Sequence, residues 1–172
     1  MKFVLVSDTH GNSVALRAVL AEIQSLYPGV DIYDLGDLLD GGPRPKAVLD
    51  MVLHRYSGFI RGNHEDYQDV FLKQKVWEKR HHELWRLVPH GVVASGHDLR
   101  KYLDRLRLSH NLGSMITLLH ASLGSNAKIP SFLPPQGSSP IDIPSILELK
   151  GRHFYFMGHT HYPGVHQSPS GD

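Results

Sequence analysis

The sequence predicts an α/β fold in which helices are layered on a mostly parallel β-sheet. Short apolar runs alternate with amphipathic segments of helical spacing through the first 61 residues, and Pro and Gly residues mark the joins between them. This βαβαβ alternation is typical of parallel strands connected by crossover helices. Because such crossovers are right-handed, the carboxyl ends of the strands meet at one edge of the sheet, where we expect the functional side chains.

The first half of the chain predicts three strands and two helices. An apolar, β-branched run forms the first strand, and Asn12 or Ser13 caps the helix that follows. Pro28 and Gly29 end that helix, and Pro45 begins the second, since Pro is favoured at the first helical position. The predicted strands are residues 3–7, 32–35 and 58–61.

The second half of the chain predicts a helical insertion and then further strands, all within a single domain of residues 1–172. Residues 65–110 change to an amphipathic pattern that includes Leu99, Leu103 and Leu106, and we interpret them as an insertion beside the site. Residues 121–145 hold five prolines. Such a long loop can be a lid over the site or a plain connector, and the sequence leaves both interpretations open. The remaining predicted elements are strand 115–119, helix 143–149 and strand 153–157.

Side chains that can bind metal follow the predicted strands at five places. Most of these places combine Asp, Asn or His with the small residues that let a chain turn tightly. One such fragment is ordinary, but five at strand ends of one small domain indicate a metal-dependent hydrolase. The fragments are Asp8-Thr9-His10, Gly36-Asp37 with Asp40, Gly62-Asn63-His64-Glu65, His120 and Gly158-His159-Thr160-His161.

The composition restricts both the metal and the partners. The chain has no Cys, so any metal is held by His, carboxylate or amide groups, which Mn, Fe, Ni and Zn all accept. The net charge of +1 gives no overall field for nucleic acid, so we expect none beyond nucleotide substrates. No apolar run approaches the ~20 residues of a membrane span. The start of the chain does not read as a signal peptide, and we expect a cytoplasmic protein without a membrane partner.

The types of side chain suit a site for two cations. A carboxylate has two oxygens, so Asp37 can be shared between two ions ~3.5–4 Å apart. His159 and His161 stand on one loop, where each can face a different ion. Asn63 offers a neutral oxygen, which leaves an ion more Lewis acidic than a carboxylate does. The chain thus supplies enough ligands for two ions, with solvent completing each shell.

These fragments together resemble the motifs of the calcineurin-like metallophosphoesterases. The order Asp-x-His, Gly-Asp-x-x-Asp, Gly-Asn-His-Glu, His and Gly-His-x-His runs from residue 8 to residue 161, nearly the whole chain. The pattern is similar to that of the small bacterial phosphoesterases and of bacterial members close to the phosphoprotein phosphatases. The resemblance implies a β-sandwich core flanked by helices, with two metal ions at the carboxyl ends of the strands.

The resemblance also implies a role for each residue of the motifs. His64 faces the substrate and protonates the leaving oxygen, and Asp40 orients it. A hydroxide that bridges the two ions is expected to attack phosphorus. We expect Mn as the metal, with Fe, Ni or Zn as alternatives. The implied ligands of one ion are Asp8, His10, Asp37 and His161, and those of the other are Asp37, Asn63, His120 and His159.

The chain departs from the family pattern in two places. Gly41 and Gly42 follow Asp40, where phosphoprotein phosphatases carry an arginine. Arg44 lies a few residues on and is, with Asn63, a candidate contact for the substrate. After His161 only 11 residues remain, so we expect shortened C-terminal strands and an exposed sheet edge, which makes a homodimer a reasonable hypothesis.

The sequence leaves three functions open. The first is hydrolysis of phosphomonoesters, with a phosphorylated small molecule or a phosphoprotein as the substrate. The second is phosphodiester hydrolysis, with nucleotides or other small diesters as substrates. The third is a protein-binding scaffold without activity, which completeness of the ligand set argues against.

Overall fold

Two β-sheets and a layer of helices make up the part of the chain described by the computed structural model, residues 2–66, 96–122, 125–126 and 154–161. Residues 63–66 are also helical. The elements are β1 (Phe3–Val6), α1 (Ser13–Leu26), β2 (Asp31–Asp34), α2 (Pro45–Val52), β3 (Gly58–Ile60), α3 (Gly96–Leu103), β4 (Leu106–Arg107), β5 (Ser109–Leu112), β6 (Ile116–Leu119) and β7 (Phe154–Phe156).

The first sheet has the order β1-β2-β3-β4, and all its strands are parallel. Val6 at the end of β1 lies opposite Asp34 at the end of β2, and Asp34 lies opposite Phe59 of β3. The carboxyl ends of these strands therefore meet at one edge. The mostly parallel α/β sheet that the alternation predicts is confirmed.

The second sheet is mixed, since β6 pairs antiparallel with β5 and parallel with β7. It faces the first sheet through an apolar cluster that includes Leu35 and Ile60 on one side and Leu112 and Leu118 on the other. The ring of Phe3 meets that of Phe156 edge to face, with centroids 6.0 Å apart. The two sheets thus form the sandwich core that the resemblance implies.

The helices cover the other face of the first sheet. Asn12 caps α1, because its side-chain oxygen accepts the N–H of Ala15 at 3.1 Å, and Pro45 begins α2, both as predicted. Apolar residues of helical spacing from α1, α2 and α3 pack on the sheet in one buried cluster. The cluster includes Leu16, Leu20, Ile23, Val48, Leu49, Val52, Leu99, Tyr102 and Leu103.

The structure differs from the sequence prediction after α3. The apolar spacing places Leu106 on a helix, but Leu106 lies in β4, where it pairs with Phe59 of β3 and packs against the helix-side core. The strand β5 is also absent from the prediction, because Ser109, His110 and Asn111 lack the apolar or β-branched content of a strand. Both strands are held by backbone pairing to distant partners, which local pattern does not report.

Several predictions fall outside the described residues. They concern most of the helical insertion, the helix at 143–149, nearly all of the segment 121–145, and the chain after residue 161. In the ranges that are described, no helix combines the length and apolarity needed to cross a membrane.

Candidate metal centre

Five side chains predicted to bind metal sit on backbone in the left-handed region. Their φ values are 52° at Asp8, 46° at His10, 54° at Asp37, 70° at His159 and 57° at His161. They are all of the non-glycine residues with positive φ in the described part of the chain. This conformation costs roughly 1–2 kcal/mol for a residue with a Cβ, and such strain concentrates at functional sites. The local backbone therefore singles out these positions independently of their chemistry.

Backbone hydrogen bonds hold the loop after β1 against the loop after β2. The N–H of Asp8 donates to the carbonyl of Gly36 at 3.0 Å, and the N–H of His10 donates to that of Asp37 at 2.9 Å. Gly36 itself has a φ of 102°, and a Cβ there would lie 2.7 Å from the N of Gly62 and from Nδ1 of His120. Glycine is required at this point because three loops converge on it.

The first group of ligand atoms comprises Asp8, His10 and His161. Nε2 of His10 and Nε2 of His161 are 3.2 Å apart, and Oδ1 of Asp8 lies 3.3 Å from Nε2 of His161. Asp37 borders this group, since its Oδ2 is 3.9 Å from Nε2 of His10. These are the four residues predicted for one ion.

The second group comprises Asp37, His120 and His159. Nε2 of His120 lies 3.2 Å from Oδ2 of Asp37, and it lies 3.2 Å from Nδ1 of His159. Oδ1 of Asn63 is also 3.2 Å from Nε2 of His120. The four residues predicted for the other ion are therefore together, and the same oxygen of Asp37 faces both groups.

Hydrogen bonds to main-chain carbonyls set the tautomers of two histidines. Nδ1–H of His120 donates to the carbonyl of Leu35 at 2.7 Å, and Nδ1–H of His10 donates to that of Asp40 at 2.5 Å. When either ring is neutral, as metal binding requires, its Nε2 lone pair points into its group. Lone pairs and carboxylate oxygens that face one another at 3.2–3.9 Å repel unless a proton or a metal ion lies between them. This donor set fits divalent transition metals.

In the metal-free second group, the charge of protonated His120 offsets that of Asp37. Burial acts to lower the pKa of His120, but the hydrogen bond to Asp37 and the charge of Asp37 raise it above its ordinary value. Burial opposes the charge of Asp37, but the hydrogen bond and charge of His120 outweigh it and lower the pKa of Asp37, which stays a carboxylate. Burial, followed by the charge of His120, lowers the pKa of His159, which favours the neutral ring that binds metal.

His64 lies beside both groups and is held by Asp40. Nδ1–H of His64 donates to Oδ2 of Asp40 at 3.1 Å, and Nε2 of His64 is 3.8 Å from Oδ2 of Asp37. Burial acts to lower the pKa of His64, but the hydrogen bond to Asp40 and the charges of Asp37 and Asp40 raise it above its ordinary value. His10, Asp37 and His64 form a third group that could hold an ion. The predicted histidine–aspartate pair is thus in contact, next to the shared carboxylate.

Arg44 is the predicted site residue that joins none of these groups. Its side chain is exposed, and its backbone N–H donates to the carbonyl of Gly11 at 3.2 Å, one residue after His10. Its role in binding phosphate stays a prediction.

Sequence reasoning missed the residues that support the candidate ligands. Glu65 is fully buried beneath the site, and Oγ of Ser7 donates to Oδ2 of Asp8 at 2.5 Å. Glu65 belongs to the Gly-Asn-His-Glu motif, but the pattern alone assigns it no partner. The carbonyls of Leu35 and Asp40, which accept hydrogen bonds from His120 and His10, could not be predicted either, because every residue type has a main-chain oxygen.

Comparison with known protein families gives one match over most of the chain. The family described as calcineurin-like phosphoesterase matches residues 1–163. No curated protein sequence is significantly similar to the chain.

The solved structures that are similar to this one include the following three. A metallophosphoesterase from Sphaerobacter thermophilus has a TM-score of 0.52 and 24% identity over 73% of this chain and 49% of its own, so the chain spans about half the length of that protein. A serine/threonine phosphatase from Saccharomyces cerevisiae has a TM-score of 0.42 and 18% identity over 69% of this chain and 38% of its own. The phosphoesterase Yfce of E. coli has a TM-score of 0.41 and 18% identity over 95% of this chain and 85% of its own. Only the first of these has a TM-score above 0.5, and at 24% identity its likeness bears on the fold alone.

Proposed function

Because the chain belongs to the calcineurin-like phosphoesterases, a family of metal-dependent phosphoester hydrolases, we propose that it hydrolyses phosphomonoesters at a site for two divalent cations. One observation carries the proposal above all. Two groups of ligand atoms share Asp37, and His64 stands at their border with its tautomer set by Asp40. The substrate that we propose is a phosphorylated small molecule or a phosphoprotein.

The ligands divide between the two ions as the distances suggest. Asp8, His10 and His161 would hold one cation, and His120, His159 and Asn63 would hold the other. Asp37 would be shared by both. When bound, such a pair of cations supplies Lewis acidity that neutralises phosphate oxygens and makes water a nucleophile at neutral pH. We propose Mn²⁺ as the metal, since oxygen and imidazole ligands accept it.

His64 would donate the proton that the leaving oxygen needs. Its Nδ1–H is committed to Asp40, so Nε2 is the atom that holds the mobile proton. The two carboxylates beside it, Asp37 and Asp40, favour the protonated ring. An alkoxide is a poor leaving group, and a positioned acid of this kind contributes about 10²–10⁴-fold to a hydrolysis.

The substrate would reach the site near Asn63 and Arg44. The amide of Asn63 lies at the second ligand group, and the planar guanidinium of Arg44 can bind a phosphate through two hydrogen bonds. A monoester carries one more negative charge than a diester, so a nearby cationic side chain favours it.

The test is hydrolysis of p-nitrophenyl phosphate against bis-p-nitrophenyl phosphate, with stripped protein to which Mn²⁺ is returned. The expected result is that the protein hydrolyses the monoester and that this turnover depends on added metal. Turnover of the diester alone would replace the monoester proposal with a phosphodiesterase. Bound metal with no turnover of either compound would point to a protein-binding scaffold.

A further inference from the structure

Glu65 is a buried acid whose carboxylate joins two ligand loops. The residue is 0% exposed. Its Oε2 accepts the N–H groups of Asp37 and Gly62, each at 2.9 Å, and its Oε1 accepts the N–H of Leu38 at 2.9 Å. Asp37 and Leu38 follow β2, whereas Gly62 follows β3 and precedes Asn63. One side chain therefore ties together the loops that carry the shared carboxylate and the amide ligand.

The bonds to Glu65 bracket the strained residue of the first loop. Asp37 has a φ of 54°, and the N–H groups before and after its Cα both donate to Glu65. A strained conformation persists only where its surroundings fix it. The Glu65 carboxylate supplies that restraint through the backbone on both sides of the Asp37 Cα.

The second loop depends on the same contact. Oδ1 of Asp37 accepts the N–H of His64 at 3.0 Å, so the orientation of the Asp37 side chain and the start of the helical stretch at 63–66 are coupled. A Cβ at Gly62 would lie 2.7 Å from Oε2 of Glu65, which shows how closely the loop approaches the carboxylate. The hydrogen bond of Gly62 to Glu65 and that of His64 to Asp37 therefore stand two residues apart on the same loop.

We propose that Glu65 is a positioning residue that sets the affinity of the site for its cations by fixing Asp37 and Asn63, although it binds neither metal nor substrate. The inference rests on the proposed function, because it assigns those two residues as ligands. A carboxylate is needed rather than an amide, since three N–H donors require acceptors on both terminal atoms.

The substitution Glu65→Gln tests this requirement with little change in shape. If the amide oxygen takes the place of Oε2, it still accepts from Asp37 and Gly62, but the NH₂ group then opposes the N–H of Leu38. In the other orientation the NH₂ group opposes the N–H groups of both Asp37 and Gly62. We expect the dissociation constant for Mn²⁺, measured by calorimetric titration of stripped protein, to rise about 10- to 100-fold, the usual effect of losing support behind a metal ligand. Excess Mn²⁺ should restore part of the lost turnover.

Val52→Ala is the matched control for lost stability. Val52 is fully buried in the helix-side core, so its truncation lowers the melting temperature without touching the ligand loops. We expect wild-type affinity for Mn²⁺ in this variant. If the wild-type protein binds Mn²⁺ and Glu65→Gln binds it with the same affinity, the inference about Glu65 is overturned and the proposed function is not. A wild-type protein that binds no Mn²⁺ would overturn the proposed function, and this inference with it.

A measurement on the unaltered protein covers the case in which Glu65→Gln does not fold. Amide hydrogen exchange of Asp37, Leu38 and Gly62 in the metal-free protein should be slow, since each N–H is bonded to a buried acceptor. Fast exchange of all three would overturn the role of Glu65.

A second variant, Glu65→Asp, has a side chain one methylene too short to reach both loops. It should weaken Mn²⁺ binding as Glu65→Gln does.

Discussion

Asp40 holds two histidines through two different groups. Its side chain accepts from Nδ1 of His64, and its main-chain carbonyl accepts from Nδ1 of His10. A change of the side chain removes the first bond and leaves the second. The proposed proton transfer and the proposed metal binding can therefore be tested separately at this one residue.

The first prediction uses that separation. His64→Ala should lower kcat by about 10²–10⁴-fold, because the leaving oxygen loses its acid. Asp40→Asn should lower kcat by a smaller factor, since the ring remains but its tautomer is no longer fixed. Both variants should bind Mn²⁺ as the wild type does, because neither change removes a residue of the two proposed ligand sets and His10 keeps its carbonyl partner. Unchanged turnover in His64→Ala would remove His64 from the mechanism.

The second prediction concerns Gly36, the glycine at the meeting of three loops. Gly29 is its control, because it has a φ of 77° and lies in open space. Gly29→Ala should lower the free energy of unfolding by about 1–2 kcal/mol through backbone strain alone. Gly36→Ala adds a clash with Gly62 and His120, so we expect about 2–5 kcal/mol. Urea denaturation of both variants measures the difference. Equal losses would mean that the loops tolerate a side chain at residue 36.

Much of the site was predictable because its chemistry is carried by residue types. Asp8, His120 and His161 are polar residues directly after or near apolar runs, and parallel topology brings such positions together. Glu65 was not predictable, since a buried acid and a solvated one look alike in sequence. Its burial depends on three N–H donors from loops that only the fold brings near it.

At the scale of elements, Arg105 joins the turn after α3 to the end of α2. Its guanidinium donates to the carbonyls of Leu53 and Tyr56 and lies 4.6 Å from the ring centroid of Phe59. The carbonyls at the end of a helix have no partner within the helix. Arg105 supplies a partner for the carbonyl of Leu53, and its contact with Phe59 packs α2 against β3.

The third prediction follows from these contacts. Arg105→Ala should lower the free energy of unfolding by about 1–3 kcal/mol, because two charge-assisted hydrogen bonds and a cation–π contact are lost. Arg107→Ala, at an exposed position of β4, should change it by less than about 0.5 kcal/mol. Thermal or urea unfolding distinguishes them, and equal effects would show that the Arg105 contacts do not stabilise the fold.

The elements themselves differ in how far sequence predicts them. The helices α1 and α2 were predictable because Asn12 and Pro45 mark their starts and apolar spacing marks their buried faces. The two-residue strand β4 was not, since it exists only through its pairing with β3. Leu106 therefore fits the helical spacing of the preceding segment and still belongs to a sheet.

At the scale of the whole molecule, the site lies where the two sheets meet. Asp8 and Asp37 follow strands of the first sheet, and His120 and His159 follow strands of the second. The N–H of His159 donates to the carboxylate of Asp8 at 3.0 Å, which links the sheets directly. A cation bound at both groups would strengthen this link.

The fourth prediction is that metal stabilises the fold. A ligand that binds only the native state, at 100 times its dissociation constant, adds about 2.7 kcal/mol per site. For a chain of 172 residues each kcal/mol raises the melting temperature by about 2–4 °C. Added Mn²⁺ should therefore raise the melting temperature of stripped protein, and EDTA should reverse the rise. Mg²⁺ serves as the control, because it binds imidazole groups poorly.

The number of Mn²⁺ ions bound per chain tests the two-cation site most directly. Calorimetric titration of stripped protein, checked by elemental analysis, should give two ions for the wild type. It should give one for His161→Ala, which removes a ligand of the first group and leaves the second complete. A wild-type protein that binds fewer than two ions, or a His161→Ala variant that still binds two, would contradict the account.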